Sequence, residues 1–255
     1  MKILIVDIET APALALVWKF FHEDISPKQV LEHLTILCWA CKWLNEDKVF
    51  FEWAHKSDEK TLLKKLLPLL AEADAVVGHN LSRFDAARIR GRCLVHGLEL
   101  PAPYKEIDTY KVATNEFDFG GNSLKYLATV LGCTPKSEHN EFPGFEMWLE
   151  CLKGNHKAWL EMKRYNLQDI RTTEEVYLKM LPYIRNHPNH GVFAEGDAVM
   201  CPKCGSTDSH RRGFARTSVG KFQRFQCNAC GGWHRLRFTE YPKGKRLTLA
   251  VNVVD

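Results

Sequence analysis

Two cysteine pairs, Cys201-Pro-Lys-Cys204 and Cys227-Asn-Ala-Cys230, stand 22 residues apart in a chain of 255 residues. A segment this small cannot bury enough apolar surface to fold unaided. Each pair can close a tight knuckle that presents two thiolates, with Gly205 and Gly231 following to permit the turn. Four thiolates from two such knuckles suit one tetrahedral Zn²⁺, and four independent packing cysteines would not need paired spacing. Residues 200–255 are therefore expected to form a small β zinc ribbon. Residues 210–226 read as its hairpin, turning at about Ser218–Gly220. The other cysteines (38, 41, 93, 133 and 151) read as packing residues. Cys38 and Cys41 share the Cys-x₂-Cys spacing, but in a strand positions three apart face opposite sides.

Upstream, apolar periodicity alternates between two and 3.6. Residues 2–7 read as a buried strand, and 34–44 with 48–55 as a hairpin about the turn Asn45-Glu46-Asp47. A helix capped by Ser57 should run to about Ala73, carrying leucines 62, 63, 66, 67 and 70 at helical spacing. A short strand (74–80) leads to a helix opened at Ser82 and closed by Gly97. Residues 105–109 are a further strand, Asn122 caps a helix ended by Gly132, and a long helix spans about His156 to Met180. This order predicts an α/β domain on a mixed sheet flanked by helices. The Pro-, Gly- and Asn-rich residues 186–199 read as a linker between domains at 1–185 and 200–255.

The net charge of +4 is unevenly placed. From Asp197 onward there are 11 Lys and Arg against 4 Asp and Glu, leaving the first 196 residues at about −3. A basic appendage on a slightly acidic body fits a polyanion partner, since clustered cations displace counterions from phosphates. No stretch reaches the roughly 18 uncharged apolar residues of a membrane span, and Asp7 cuts short the first apolar run. A cytoplasmic protein without membrane partners is expected, its odd number of cysteines matching a reducing compartment.

Three segments carry carboxylates at places where chemistry is done. Asp7 and Glu9 end the first strand on one side of it, since strand side chains alternate. Alone, a solvated strand end is the better account of them. Asp85 falls in the first turn of a helix just after a strand, with His79 and Asn80 at the strand end; helix-dipole capping is the plainer reading. Tyr165 and Asp169, four apart on the long helix, share a face. Hard divalent cations want several such oxygens at one point.

Taken together, Asp7-Ile8-Glu9, the 79–85 segment with His79, Asn80, Phe84 and Asp85, and the Tyr165–Asp169 pair resemble the three ordered motifs of the DEDDy-type 3′–5′ proofreading exonucleases. The likeness spans roughly residues 1–182. It implies a ribonuclease H-like fold and a two-metal (Mg²⁺ or Mn²⁺) exonuclease. Asp7, Glu9 and Asp169 would bind the metal carrying the attacking water, and Asp7 with Asp85 the metal at the leaving oxygen. Tyr165 would orient the water, and Ile8, His79, Asn80 and Phe84 would hold the terminal nucleotides, though Phe84 also suits a core position. Asp108 reads as structural.

The ribbon resembles those on transposases and other DNA-handling proteins. Arg211, Arg212, Arg216, Lys221, Arg224, Arg235 and Arg237 interleave with Phe214, Phe222, Phe225, Trp233 and Phe238. Cations for phosphates and rings for bases suit nucleic acid; a minimal core solubilised by arginines is the alternative. The expected partner is DNA with a free 3′ end, and a replication or repair protein is a further candidate. A transposase-like nuclease, a non-catalytic adaptor and an accessory proofreading subunit are the competing readings. An adaptor predicts loss of a metal carboxylate, and all four positions are filled.

Overall fold

The computed structural model describes residues 1–134 and 141–251; the last four residues of the expected ribbon segment lie outside them. Within them the chain divides into two compact units, Lys2–Tyr177 and a second beginning at Leu178.

In the first unit the chain runs β1 (Ile3–Thr10), β2 (Leu14–Ala15), β3 (Val30–Glu32), β4 (Ile36–Trp43), β5 (Val49–Trp53), α1 (Glu59–Glu72), β6 (Ala75–Gly78) and α2 (Asp85–Val95). It continues through β7 (Lys105–Asp108), α3 (Thr109–Glu116), α4 (Leu124–Val130), α5 (Glu146–Leu152) and α6 (His156–Met180), the last running on into the second unit. The main sheet has the order β5-β4-β1-β6-β7. β4 is antiparallel to β1 and β5, while β6 is parallel to β1 and β7, so the sheet is mixed as expected.

Alternation along the strands sorts their side chains to two faces. Leu4, Val6 and Ile8 of β1 pack with Trp39 and Cys41 of β4 against the leucines of α1 and against Ala86, Ile89 and Cys93 of α2. On the other face Cys38, with Leu37 where the β1–β4 register slips, meets Met147 and Cys151 of α5 and Ala158, Trp159 and Met162 of α6. Cys38 and Cys41 thus sit on opposite faces. Burial raises both thiols, Cys41 to about 12, with the charges of Glu9 and Asp7 adding to the rise at Cys38.

Helix starts moved where a better acceptor was at hand. α1 is capped by Asp58, not Ser57: Asp58 accepts from Thr61 N at 2.9 Å and from its hydroxyl at 2.8 Å, and a carboxylate also suits the helix dipole. α4 is capped by Ser123, one residue after Asn122. α3, α5 and the small β2–β3 pair had no clear signature in the sequence.

The second unit contains β8 (Ser209–Arg216), β9 (Lys221–Cys227) and β10 (Trp233–Arg235) in the order β10-β9-β8, with a short α7 (Lys243–Leu247). The expected hairpin forms, closed by Thr217 N donating to Gly220 O at 2.9 Å. Its register slips between Arg211 and Phe214, where Gly213 has φ +66°. The side chains of Arg224 and Gln223 donate to the carbonyls of Arg212 and Gly213 released by this bulge, each at 2.9 Å.

Glu59 ties three elements of the first unit. It accepts two bonds from Arg92 Nε (2.9 and 3.0 Å), one from Arg92 Nη2 (2.6 Å) and one from Ile36 N (2.7 Å), with His96 Nε2 at 2.7 Å. Burial pushes its carboxyl up, but Arg92, His96 and Ile36 outweigh this and hold it below the ordinary glutamate range. A depressed carboxyl adds stability that is present above its unfolded pKa and lost as pH falls through the folded one. Glu59→Ala should lower stability by about 3 kcal/mol, because Arg92 and the Ile36 N–H lose their partner. Urea titration at pH 7 checks this, and an unchanged midpoint would contradict it.

Candidate functional site

β1 places Asp7 and Glu9 on the face opposite Leu4, Val6 and Ile8, which is the face α6 covers. Asp169 of α6 joins them: Asp7, Glu9 and Asp169 each offer an oxygen, and these atoms all lie within 4.8 Å of one another. Oxygens binding one Mg²⁺ at about 2.0–2.1 Å stand up to about 4.2 Å apart, and Ca²⁺-like distances widen that somewhat. The donor set, hard and anionic, fits such an ion.

Asn166, which the sequence reading passed over between Tyr165 and Asp169, is fully buried at this site. Its Nδ2 donates to Asp7 Oδ2 at 2.5 Å, and its Oδ1 lies 3.9 Å from Cys38 Sγ. An amide donor fixes the rotamer of Asp7 without adding charge. The only sequence signal was a polar residue at a helix position facing the sheet.

Asp85 is outside the 4.8 Å set among the described residues. It is buried at the start of α2 and its Oδ1 accepts from Ile8 N at 3.0 Å. Burial pushes its carboxyl up to about 7; the Ile8 N–H offsets this in part, and the charge of Asp108 adds to it. Ile8 itself turns its side chain into the core, so what it offers the site is that N–H.

The loop from Gly78 to Asp85 is set by Asp108, whose carboxylate accepts from Asn80 N at 3.0 Å and Ser82 N at 3.1 Å while capping α3. Asn80 takes a left-handed φ of +63°. Ser82 therefore sits in a turn, and α2 begins at Asp85 instead of at Ser82. His79 Nδ1 is 2.9 Å from Thr109 Oγ1, and its ring meets the edge of Tyr110 at 5.7 Å. Phe84 is at the surface, not in the core, with Arg88 6.0 Å from its ring. Tyr165 is half-buried on α6 and meets Trp148 edge-on at 6.3 Å.

In the second unit the four cysteines of the two knuckles converge. Cys201 and Cys230 Sγ are 3.7 Å apart, and Cys204 and Cys227 Sγ 3.5 Å. Four sulfurs about 2.3 Å from one tetrahedral Zn²⁺ would stand about 3.8 Å apart, so the cluster is compatible with a zinc ribbon. Gly205 N donates to Cys201 O at 2.9 Å and Gly231 N to Cys227 O at 3.0 Å, both glycines at φ near +76° (+77° and +75°). The ribbon's cations lie over its rings: Arg224 is 4.8 Å and Arg212 6.0 Å from Trp233, Lys221 is 3.8 Å from Phe214, and Arg235 is 3.8 Å from Phe222. Arg211 and Arg216 stand exposed on β8.

The family model RNase_H_2, of the RNase_H superfamily, matches residues 29–181. The chain belongs to the RNase H superfamily. The match begins after Asp7 and Glu9, so that pair enters on the geometry above. The family B DNA polymerase of the hyperthermophilic archaeon Pyrobaculum calidifontis is similar in structure, with a TM-score of 0.55 and 20% identity. That likeness covers 71% of this chain and 24% of the polymerase, so the chain spans about a quarter of its length, and at this identity it speaks for the fold. No curated protein sequence matches. Among the described residues no helix is long and apolar enough to cross a membrane. An RNase H-like fold with a carboxylate cluster on its sheet supports a nuclease.

Asn166→Ala should weaken binding of Mn²⁺ to the carboxylate group by roughly 10- to 100-fold, the usual effect of removing a partner that orients a ligand. Calorimetric titration of the folded variant measures this, and unchanged affinity would show that Asp7 needs no such support.

Proposed function

We propose that this RNase H-like chain is a 3′–5′ exonuclease that hydrolyses phosphodiester bonds of nucleic acid, DNA in preference to RNA, with two divalent cations. The observation that carries the reading is the convergence of Asp7, Glu9 and Asp169 from β1 and α6. Mg²⁺ or Mn²⁺, when bound, would acidify a water and stabilise charge on the leaving 3′ oxygen. Asp7, Glu9 and Asp169 would hold one cation; Asp7, with Asp85 directly or through water, would hold the other. A neighbouring cation favours the charged form of a carboxyl, drawing Asp85 back toward ionisation.

Tyr165 would donate or accept a hydrogen bond that orients the attacking water; its ordinary pKa near 10 makes it a poor base at neutral pH. Asn80 and Phe84, at the mouth of the 79–85 loop, would hold the terminal nucleotides, with His79 and the Ile8 backbone as supports. The ribbon, with one structural Zn²⁺ on Cys201, Cys204, Cys227 and Cys230, would hold the polyanion through Arg211, Arg212, Arg216, Lys221, Arg224 and Arg235. With a Zn(Cys)₄ centre at −2, the +7 of this segment falls to about +5, still a basic surface. Phe214 and Phe222 lie under cations, while Trp233 and Phe238 keep exposed ring surface beside the charges.

Incubating the chain with 3′- and 5′-labelled DNA and RNA oligonucleotides, in Mg²⁺, Mn²⁺ or EDTA, tests the proposal. Shortening from the 3′ end that needs a divalent cation is expected. Asp7→Ala should abolish it, and Tyr165→Phe should cost less than Asp169→Ala, on the order of 10²–10⁴ in rate. Full activity in EDTA or in Asp7→Ala would sink the metal assignment.

A further inference from the structure

The face of α6 that carries Asn166 and Asp169 is buried, together with Ala158, Trp159 and Met162. Leu160 precedes Asp169 by nine residues, about two and a half turns, and so lies on the opposite side of the helix. On that outer side Lys157, Leu160, Arg164, Leu167 and Arg171 follow one another at intervals of three, four, three and four. This is the spacing of a coiled-coil seam, with a leucine at one core position and a cation at the other.

Lys157, Arg164 and Arg171 are exposed, Leu160 is 43% exposed and Leu167 is half-buried. The first four residues of the seam, with Lys163 and Glu141, line an open groove of about 490 Å³. Lys163 is anchored over the rings of Phe51 and Trp53, at 5.3 and 5.7 Å. Among the described residues Lys157, Arg164 and Arg171 make no ion pair. The row is local, since the first 196 residues together carry about −3. Phosphates would use these cations but leave both leucines in water. A second copy would bring three cations from each chain onto one seam, where like charges repel. A helix with apolar residues on its own seam and Asp or Glu beside them satisfies both rows. Its apolar side chains would cover Leu160 and Leu167, and its carboxylates would meet Lys157, Arg164 and Arg171. The row spans about 21 Å of helix, room for two heptads of such a partner.

We propose that the outer face of α6 docks an acidic amphipathic helix of a partner protein. The inference does not rest on the exonuclease reading. Its test is fluorescence anisotropy of a labelled peptide of three heptads, with leucine on the seam and glutamate beside it, titrated with the full chain. One comparison peptide has lysine in place of glutamate, and another has serine in place of the seam leucines. The leucine–glutamate peptide should bind more tightly than either by about ten-fold or more. The serine peptide keeps the whole negative charge, so the basic ribbon alone would hold both glutamate peptides equally. Arg164→Glu with Arg171→Glu should weaken binding of the leucine–glutamate peptide by about ten-fold, as should Leu160→Ser with Leu167→Ser. The arginines are exposed, so the charge variant should keep its thermal midpoint, and it decides the matter if the leucine variant unfolds. Equal binding of the serine peptide, or unchanged binding by the arginine variant, overturns the inference. A thymidine dodecamer that displaces the peptide and itself loses affinity in the arginine variant would assign the face to nucleic acid instead. Sedimentation showing a dimer that the leucine variant abolishes would assign it to a second copy. None of these outcomes depends on whether the chain cleaves oligonucleotides.

Discussion

Three carboxylates whose oxygens lie within 4.8 Å of one another repel. At about 4 Å and an effective dielectric near 20, each charged pair costs on the order of 4 kcal/mol. A fold holds such a group only if other interactions fix the backbone beneath it, and the arrangement of the first unit follows from that. β1 is central in its sheet, bonded on one side to β4 and on the other to β6, so Asp7 and Glu9 cannot splay apart with the strand. α6 is a 25-residue helix packed on the same face, and it sets Asp169 opposite them. Asn166 then supplies a neutral donor to Asp7 where a cationic side chain would have cancelled the field a metal needs.

Much of this was legible in the residues. Period-two alternation put Asp7 and Glu9 on one side of a strand, and the i, i+4 rule put Tyr165 beside Asp169 on one helix face. The mixed sheet and the bounds of the long helix, His156–Met180, also stand as read. What the sequence withheld depends on partners far away in the chain. Asn166 gains its meaning only when β1 lies beneath it, 159 residues earlier. Ser82 looked like a helix cap because nothing local shows that Asp108, 26 residues on, takes its N–H. The β2–β3 excursion between β1 and β4 was missed because its clamp, Glu23 with Gln29, has no periodic signature.

The second unit follows a different logic. Its knuckles are short-range and were read directly from spacing, since two Cys-x₂-Cys turns with trailing glycines leave few alternatives. The pairing of its cations with its aromatic rings was not foreseen. The interleaving suggested phosphate contacts and open stacking faces side by side; the side chains instead lie over one another. Strongly exposed rings occur in both units, Trp18 and Phe20 in the first and Phe238 in the second.

The account stands on cations being held by the carboxylates of β1 and α6. Crystals of the full chain grown with Mn²⁺, with anomalous data collected at the manganese and zinc edges, test this most directly. A manganese peak about 2.0–2.3 Å from carboxylate oxygens of Asp7 and Asp169, and a separate zinc peak among the four cysteine sulfurs, is the predicted result. Manganese absent from the carboxylates, with Asp7 still bonded to Asn166, would contradict it.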